Sequence, residues 1–225
     1  MGEAGWKAGK QGDGRALDWS GFTGLPIEFL GTGGSIPFMA TARKVSEESR
    51  LRSFDEFLVW EEGQEERHEF INGQVVAMAG ASDAHELVAL NVAFALLNHL
   101  RGKGCRVYKG DMKLRFRAGA VDLSYYPDVM VTCDPSDDHS HYKERPRLLV
   151  EVMTNFKQDH FEKLFIYQQI ESLQEYLIVG QNPERPQAWL YQRNQNWVMP
   201  EPIVSGEIEL PSLDLRFPLA GLFAN

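Results

Sequence analysis

The stretch "RPRLLVEVMTNFKQDHFEKLFIY", Arg145 to Tyr167, decides how the rest of the chain is read. Leu148 to Met153 is an apolar run of strand length, and it carries one carboxylate, Glu151, in its middle. A charge taken out of water without a partner is costly, or it neutralises itself by shifting its pKa. A strand built for the interior must therefore supply Glu151 with company. Downstream, the spacing predicts a helix over about Asp159–Ile170 with Phe161, Leu164 and Phe165 on its inner side.

The partner is sought upstream. "YYPDVMVTC" reads as a second apolar strand, entered through Pro127, with Asp128 at its start. Adjacent strands can set such groups side by side on one face. Two close carboxylates in a half-buried site repel each other unless a proton or a cation lies between them. Hard divalent ions, Mg²⁺ above all, take oxygen ligands and often use one or two carboxylates plus water. A metal held there activates water and stabilises a phosphate leaving group. Read singly, Glu151 also fits a solvent-facing edge strand and Asp128 a turn cap.

The surrounding chain supplies a frame. "SFDEFLVWEE" places Ser53 three residues before Glu56, a capping box, and predicts a short helix. "HEFINGQVVAMAG" alternates around Asn72-Gly73, a strong hairpin signal. "SDAHELVALNVAFALLNHLRGKG" predicts a long amphipathic helix, with Leu87, Leu90, Phe94 and Leu97 as its apolar stripe and Gly102 at its end. "CRVYKGDMKLRFRAG" alternates as a strand, with Lys113, Arg115 and Arg117 on one face. "EYLIVG" is a short buried strand, "QAWLYQRNQNWVM" a late hairpin, and "GEIELPSLDLRF" a closing pair of short strands. This order indicates an α/β or α+β protein, with a mixed sheet packed against helices.

Composition sets the outer limits. The chain has 225 residues, 43% of them apolar and 11% aromatic, enough for a proper core. The net charge of −9 argues against a general nucleic-acid coat, but not against an enzyme that meets nucleic acid through metal ions and a local basic strip. No apolar run is long enough to predict a membrane-spanning helix, and no secretory signal pattern opens the sequence. Two cysteines, Cys105 and Cys133, make a disulfide framework an unlooked-for outcome; a reducing, cytoplasmic location is the simplest expectation. Residues 1–50 are Gly-rich in their first part and lack sustained periodicity, which predicts a poorly ordered extension before a domain over 51–225. Met39 opens "MATARKVSEES", an ordinary protein start, so translation from Met39 is the expectation.

Together, "HEFINGQVVAMAGAS..H", "YYPDVMV", "RPRLLVEVMT", "D...KL..Y" and "SLQEYLIV" resemble the PD-(D/E)XK nuclease superfamily. Within it, they resemble a bacterial family of uncharacterised restriction-endonuclease-like proteins. The resemblance spans about Phe54 to Phe223. It implies a restriction-endonuclease-like mixed β-sheet flanked by helices, with extra hairpins. It also implies a Mg²⁺-dependent (or Mn²⁺-dependent) site that cleaves phosphodiester bonds in DNA. Carried across, Asp128, Glu151 and the backbone carbonyl of Val152 become metal ligands, and Glu69 is the additional acid near them. The superfamily lysine, two residues after the glutamate, is replaced here by Met153; the resembling family implies a lysine from the following helix, Lys163. A lysine there orients the attacking water or stabilises developing negative charge.

His85, in the first turn of the long helix, is read as a structural or substrate-contacting residue. Lys113, Arg115 and Arg117 are either the wet face of a strand or candidate phosphate contacts. Lys163 on an amphipathic helix has an ordinary surface reading too, and Tyr167, one turn on, reads as packing. A homodimer is expected by analogy with nuclease folds that cut both strands. The competing reading is a nuclease fold with an impaired site, kept as a nucleic-acid-binding or assembly module; Met153 and the acidic charge favour it.

Overall fold

Five alternating apolar residues set the architecture. On one strand, Leu148, Val150 and Val152 pack into one apolar cluster, while Leu149 and Met153 pack into another. A strand points successive side chains to opposite faces, so this strand is covered on both sides. It is β8 (Pro146–Met153), and it lies in the middle of a five-stranded sheet of order β10-β9-β8-β6-β3. The other members are β3 (Arg106–Lys109), β6 (Val129–Thr132), β9 (Glu175–Gly180) and β10 (Ala188–Gln192). Strands β8 and β9 run parallel; β6–β8, β3–β6 and β9–β10 are antiparallel.

The computed structural model describes residues 53–154 and 159–224. The expected extension over residues 1–50, the Met39 start and the side chain of Phe161 lie outside the described residues. Two α-helices and a second sheet cover the central one. Helix α2 (Asp83–Leu100) buries Val88, Ala89, Val92, Leu96 and Leu100 against Val129, Val131, Leu148 and Val150. Helix α3 (Asp159–Tyr167) belongs to the opposite cluster through Leu164 and Tyr167. The second sheet has order β2-β1-β5-β4-β7, and its Leu114, Phe116, Leu123 and Tyr125 join the same cluster as α3. Its strands are β1 (His68–Ile71), β2 (Gln74–Ala77), β4 (Lys113–Ala118), β5 (Val121–Tyr125) and β7 (Tyr142–Lys143). The expected α+β class, with a mixed sheet flanked by helices, is what the chain forms.

Local signals explain several elements. Ser53 caps helix α1 (Phe54–Glu61) by accepting from the Glu56 N–H. Asn72 and Gly73, at φ 47° and 88°, form the turn of the β1–β2 hairpin, where only residues tolerant of positive φ are at ease. The Asn72 side chain also accepts from the Asp122 N–H, pinning that turn to β5. Buried Glu61 accepts from the His68 N–H and the Tyr126 hydroxyl, both at 2.8 Å, so α1 fixes the start of β1. The closing β11–β12 hairpin (Glu207–Leu210 with Leu215–Pro218) forms as expected.

Other expectations are corrected. The single strand expected from Cys105 to Gly119 is broken at Gly110, φ 76°; its halves, β3 and β4, belong to different sheets. The late hairpin is absent from Ala188–Met199: β10 pairs back with β9, and a short 3-10 turn at Arg193–Gln195 follows. Phe165, expected inside, is 63% exposed. The stripe expected to be the buried face of α2 faces outward instead: Leu87, Leu90, Phe94 and Leu97 are 39%, 53%, 63% and 45% exposed. Helix α2 is apolar on two faces, and periodicity alone does not say which one the sheet takes.

The cysteines are also corrected. Arg106 pairs with Thr132, which sets Cys105 opposite Cys133, and the two form a disulfide. The argument for a reducing compartment from unpaired thiols therefore falls. The bridge closes a sequence separation of 28 residues. On loop-closure entropy, the double variant Cys105→Ser, Cys133→Ser is expected to lose about 3.6 kcal/mol in urea unfolding. An unchanged midpoint would show that the bridge does not form in the folded protein.

Candidate active site

The same alternation that buries β8 aims Glu151 at the α3 side, with Leu149 and Met153 as its neighbours on that face. The β6–β8 register pairs Val129 with Val150; one step further sets Asp128 opposite Glu151. Asp128 is held in place from two directions. Its Oδ2 accepts from the Val152 N–H at 2.6 Å and lies 3.1 Å from His85 Nε2. Glu69 arrives on β1, from the second sheet.

Lys163 closes the group. Its Nζ lies 3.0 Å from Glu151 Oε1 and 3.7 Å from Glu69 Oε1, and it sits over the Tyr125 ring. Tyr167, one turn along α3, donates its hydroxyl to the same Glu151 oxygen at 3.0 Å. The structure thus brings together Asp128, Glu151, Glu69, Lys163 and His85. Their side chains are 20%, 8%, 18%, 21% and 18% exposed, so Glu151 is buried and the other four are partly exposed. Met153, where the superfamily lysine would stand, is partly buried in the apolar cluster, and Lys163 reaches the glutamate from α3.

The charges are strongly coupled. Burial pushes Glu151 up to about 7; Lys163 opposes this, and Asp128 and Glu69 add to it. Burial works against the Lys163 ammonium, but Glu151 and Glu69 overcome it and hold the lysine above its usual range. The hydrogen bond to Asp128 raises His85, against its own burial. Burial, with the nearby Glu151, keeps Tyr167 protonated far into the alkaline range. Lys163 is therefore a permanent cation and donor here, and Tyr167 a permanent donor.

Among the described residues, no three His, Cys, Asp or Glu side chains gather closely enough to hold a metal ion by themselves. The donor chemistry still fits a hard divalent ion in its two-carboxylate form. Asp128 and Glu151 face each other across a strand pair, and their repulsion is part of what pushes Glu151 upward. An added cation relieves that repulsion.

The basic strip is different from the expectation. Arg115 is buried, bonds Asp122 through Nε and Nη2, and stacks over Phe54, so it is not available to a phosphate. Arg117 pairs with Glu144, and half-buried Lys113 sits over Tyr126. A cavity of about 610 Å³ is lined by Arg115, Arg117, Glu144 and Arg145 and holds none of the five clustered residues. The sequence reading missed two further contacts. Tyr167 packs in the core as expected and also bonds Glu151, a role that its spacing of four from Lys163 could have signalled. The His85–Asp128 contact had no signal beyond the helix start.

The fold is restriction-endonuclease-like. The chain belongs to the Uma2 family, described as "Putative restriction endonuclease", whose model matches residues 54–220. Among its relatives, the uncharacterized protein slr1290 of Synechocystis is 34% identical over 170 residues, covering 72% of this chain and 86% of the relative. A second Synechocystis protein, uncharacterized sll1609, is 28% identical over 158 residues, covering 68% and 88%. The crystal structure of "a putative nuclease belonging to DUF820" from Anabaena variabilis superposes with a TM-score of 0.59 at 17% identity. That likeness covers 75% of this chain and 96% of the other, and it shows the fold.

Removing Lys163 leaves Glu151 and Glu69 without their cation. Lys163→Met is expected to cost about 3 kcal/mol in urea unfolding at pH 8 with chelator present. Below about 7 Glu151 takes up a proton and no longer needs the lysine, so the loss is expected to shrink at pH 5.5. Equal losses at both pH values would show that Glu151 does not titrate between them.

Proposed function

We propose that this protein is a Mg²⁺-dependent endonuclease, active also with Mn²⁺, that hydrolyses phosphodiester bonds in DNA. The observation that carries the reading is the Asp128–Glu151 pair on adjacent strands, with the Lys163 ammonium set against Glu151 and Glu69. In this reading Asp128, Glu151 and the Val152 carbonyl hold the ion, and Glu69 assists directly or through water. The bound ion would supply charge neutralisation and a more acidic water.

The chain's own groups do the rest. Lys163 keeps its proton, so it acts as a donor: it positions the attacking water or steadies the charge that develops on the phosphoryl oxygens. It is not the base. Tyr167 fixes one oxygen of Glu151 and leaves the other for the ion. The Val152 N–H and His85 hold the Asp128 carboxylate in one orientation. His85, Lys113 and Arg117 are the groups left to meet the DNA backbone. The domain is taken to begin near residue 51, and the protein to work as a homodimer, so that each strand of a duplex meets one site. Action on DNA places it in the cytoplasm, which makes the state of Cys105 and Cys133 in the native protein a direct check. Among the described residues, no helix is long and apolar enough to cross a membrane.

The test is cleavage of supercoiled plasmid and of single-stranded DNA with Mg²⁺ or Mn²⁺. Asp128→Asn and Lys163→Ala are each expected to lose about 100-fold or more in rate. Full cleavage by Asp128→Asn would sink the assigned site. DNA binding without cleavage by the wild type, under either ion, would favour the binding-module reading. Calorimetry gives an independent readout: Mn²⁺ must displace the Glu151 proton, so its affinity is expected to fall as pH drops below about 7. A pH-independent affinity would remove Glu151 from the ligand set.

A further inference from the structure

The outward face of α2 carries a pattern that its inward face does not. Leu87, Leu90, Phe94 and Leu97 are spaced 3, 4 and 3 residues apart, and each is at least 39% exposed. Asp83 and Arg101, four residues beyond either end, continue the same seam and are exposed. This 4-3-4-3-4 spacing keeps a line of side chains on one edge of a helix, as in two-helix packing. Scattered exposed leucines need no explanation, but an aligned row of four large apolar side chains marks a contact surface.

The row is also palindromic. Leu87 and Leu97 stand at equal distances from position 92, as do Leu90 and Phe94, and as do Asp83 and Arg101. A two-fold interface demands this property: if residue i meets residue j, then j meets i. Laid antiparallel on a second copy, the helix sets Leu87 against Leu97, Leu90 against Phe94, and Asp83 against Arg101. The ends then carry opposite charges in both copies. Among the described residues neither Asp83 nor Arg101 has an ion-pair partner. Neighbouring polar groups on α2 are already engaged. Glu86 bonds Lys109, and Asn91 and His99 bond the backbone of Leu222 and Leu213.

We infer that the outward face of α2 is a two-fold contact between copies of this chain, with the two helices antiparallel and crossing at the level of position 92, between Leu90 and Phe94. The inference names the surface of the homodimer proposed above and does not depend on the nuclease chemistry. The helix is about 27 Å long, so the seam alone lies at the small end of specific interfaces, and a dimer in the micromolar range is the natural outcome. Because His85 lies in the first turn of α2, pairing in this way separates the two His85 positions by about 21 Å along the helix direction.

Sedimentation velocity of the full 225-residue protein from about 1 to 100 μM tests this without reference to cleavage. The wild type is expected to pass from monomer to dimer over that range. Leu90→Glu with Phe94→Glu is expected to stay monomeric, with unchanged circular dichroism. Charge reversal adds a control that leaves the apolar row intact. Asp83→Arg or Arg101→Asp alone is expected to weaken the dimer about tenfold, since each reversal acts at both ends of the seam. The double reversal is expected to restore it. A wild type that stays monomeric at 100 μM overturns the inference, as it would if residues 1–52 or another protein covered this face. A dimer indifferent to Leu90→Glu, Phe94→Glu overturns it as well, by placing the interface elsewhere. Cleavage that fails while the dimer behaves as described would count against the nuclease reading alone.

Discussion

The contact between the Glu151 carboxylate and the Lys163 ammonium organises this molecule. β8 is covered on both faces, so a carboxylate at its centre is tolerable only with a counter-charge within reach. That counter-charge comes from the helix that follows β8, and the helix must therefore dock with Lys163 turned toward the sheet. The same docking places the Tyr167 hydroxyl on Glu151 and stacks its ring edge-on against Tyr125 and Tyr176. One electrostatic requirement thus settles the rotation of α3, the packing of three tyrosines, and the approach of the sheet that carries Glu69.

The supporting shell is spread over separate parts of the chain. Helix α1 fixes β1 through Glu61, and β1 delivers Glu69. Helix α2 delivers His85 to Asp128 from the opposite side of the central sheet. No two of the five clustered residues are neighbours in sequence, yet strand register and helix docking bring them within a few side chains of each other. Function built this way depends on rigid elements more than on loops. It also explains why Met153 can be apolar: with the ammonium supplied by α3, that position is free to pack.

What the sequence disclosed follows a physical division. Local signals carried through: the Ser53 cap, the Asn72-Gly73 turn, and the strands around Asp128 and Glu151 all depend on neighbours in the chain. The grouping of Asp128, Glu151, Glu69 and Lys163 was legible because short motifs stood in a known order. Non-local features were not legible. Cys105 meets Cys133 only through antiparallel register, and Arg115 loses its phosphate-binding character only once Asp122 and Phe54 surround it. Helix α2 misled because both of its faces are apolar, and only tertiary packing chooses between them.

The Glu151–Lys163 contact also sets a condition on how the chain reaches its native state. β8 can pair with β6 before α3 docks, but then Glu151 enters an apolar face with no ammonium beside it. Its proton affinity, centred near neutrality even with the lysine present, is higher still at that stage. The strand pair is thus assembled most easily as the neutral acid, and the arriving ammonium weakens the proton's hold. Alkaline conditions withhold that proton. They tax the assembly step more than the finished protein, so the kinetics of folding carry a pH dependence of their own.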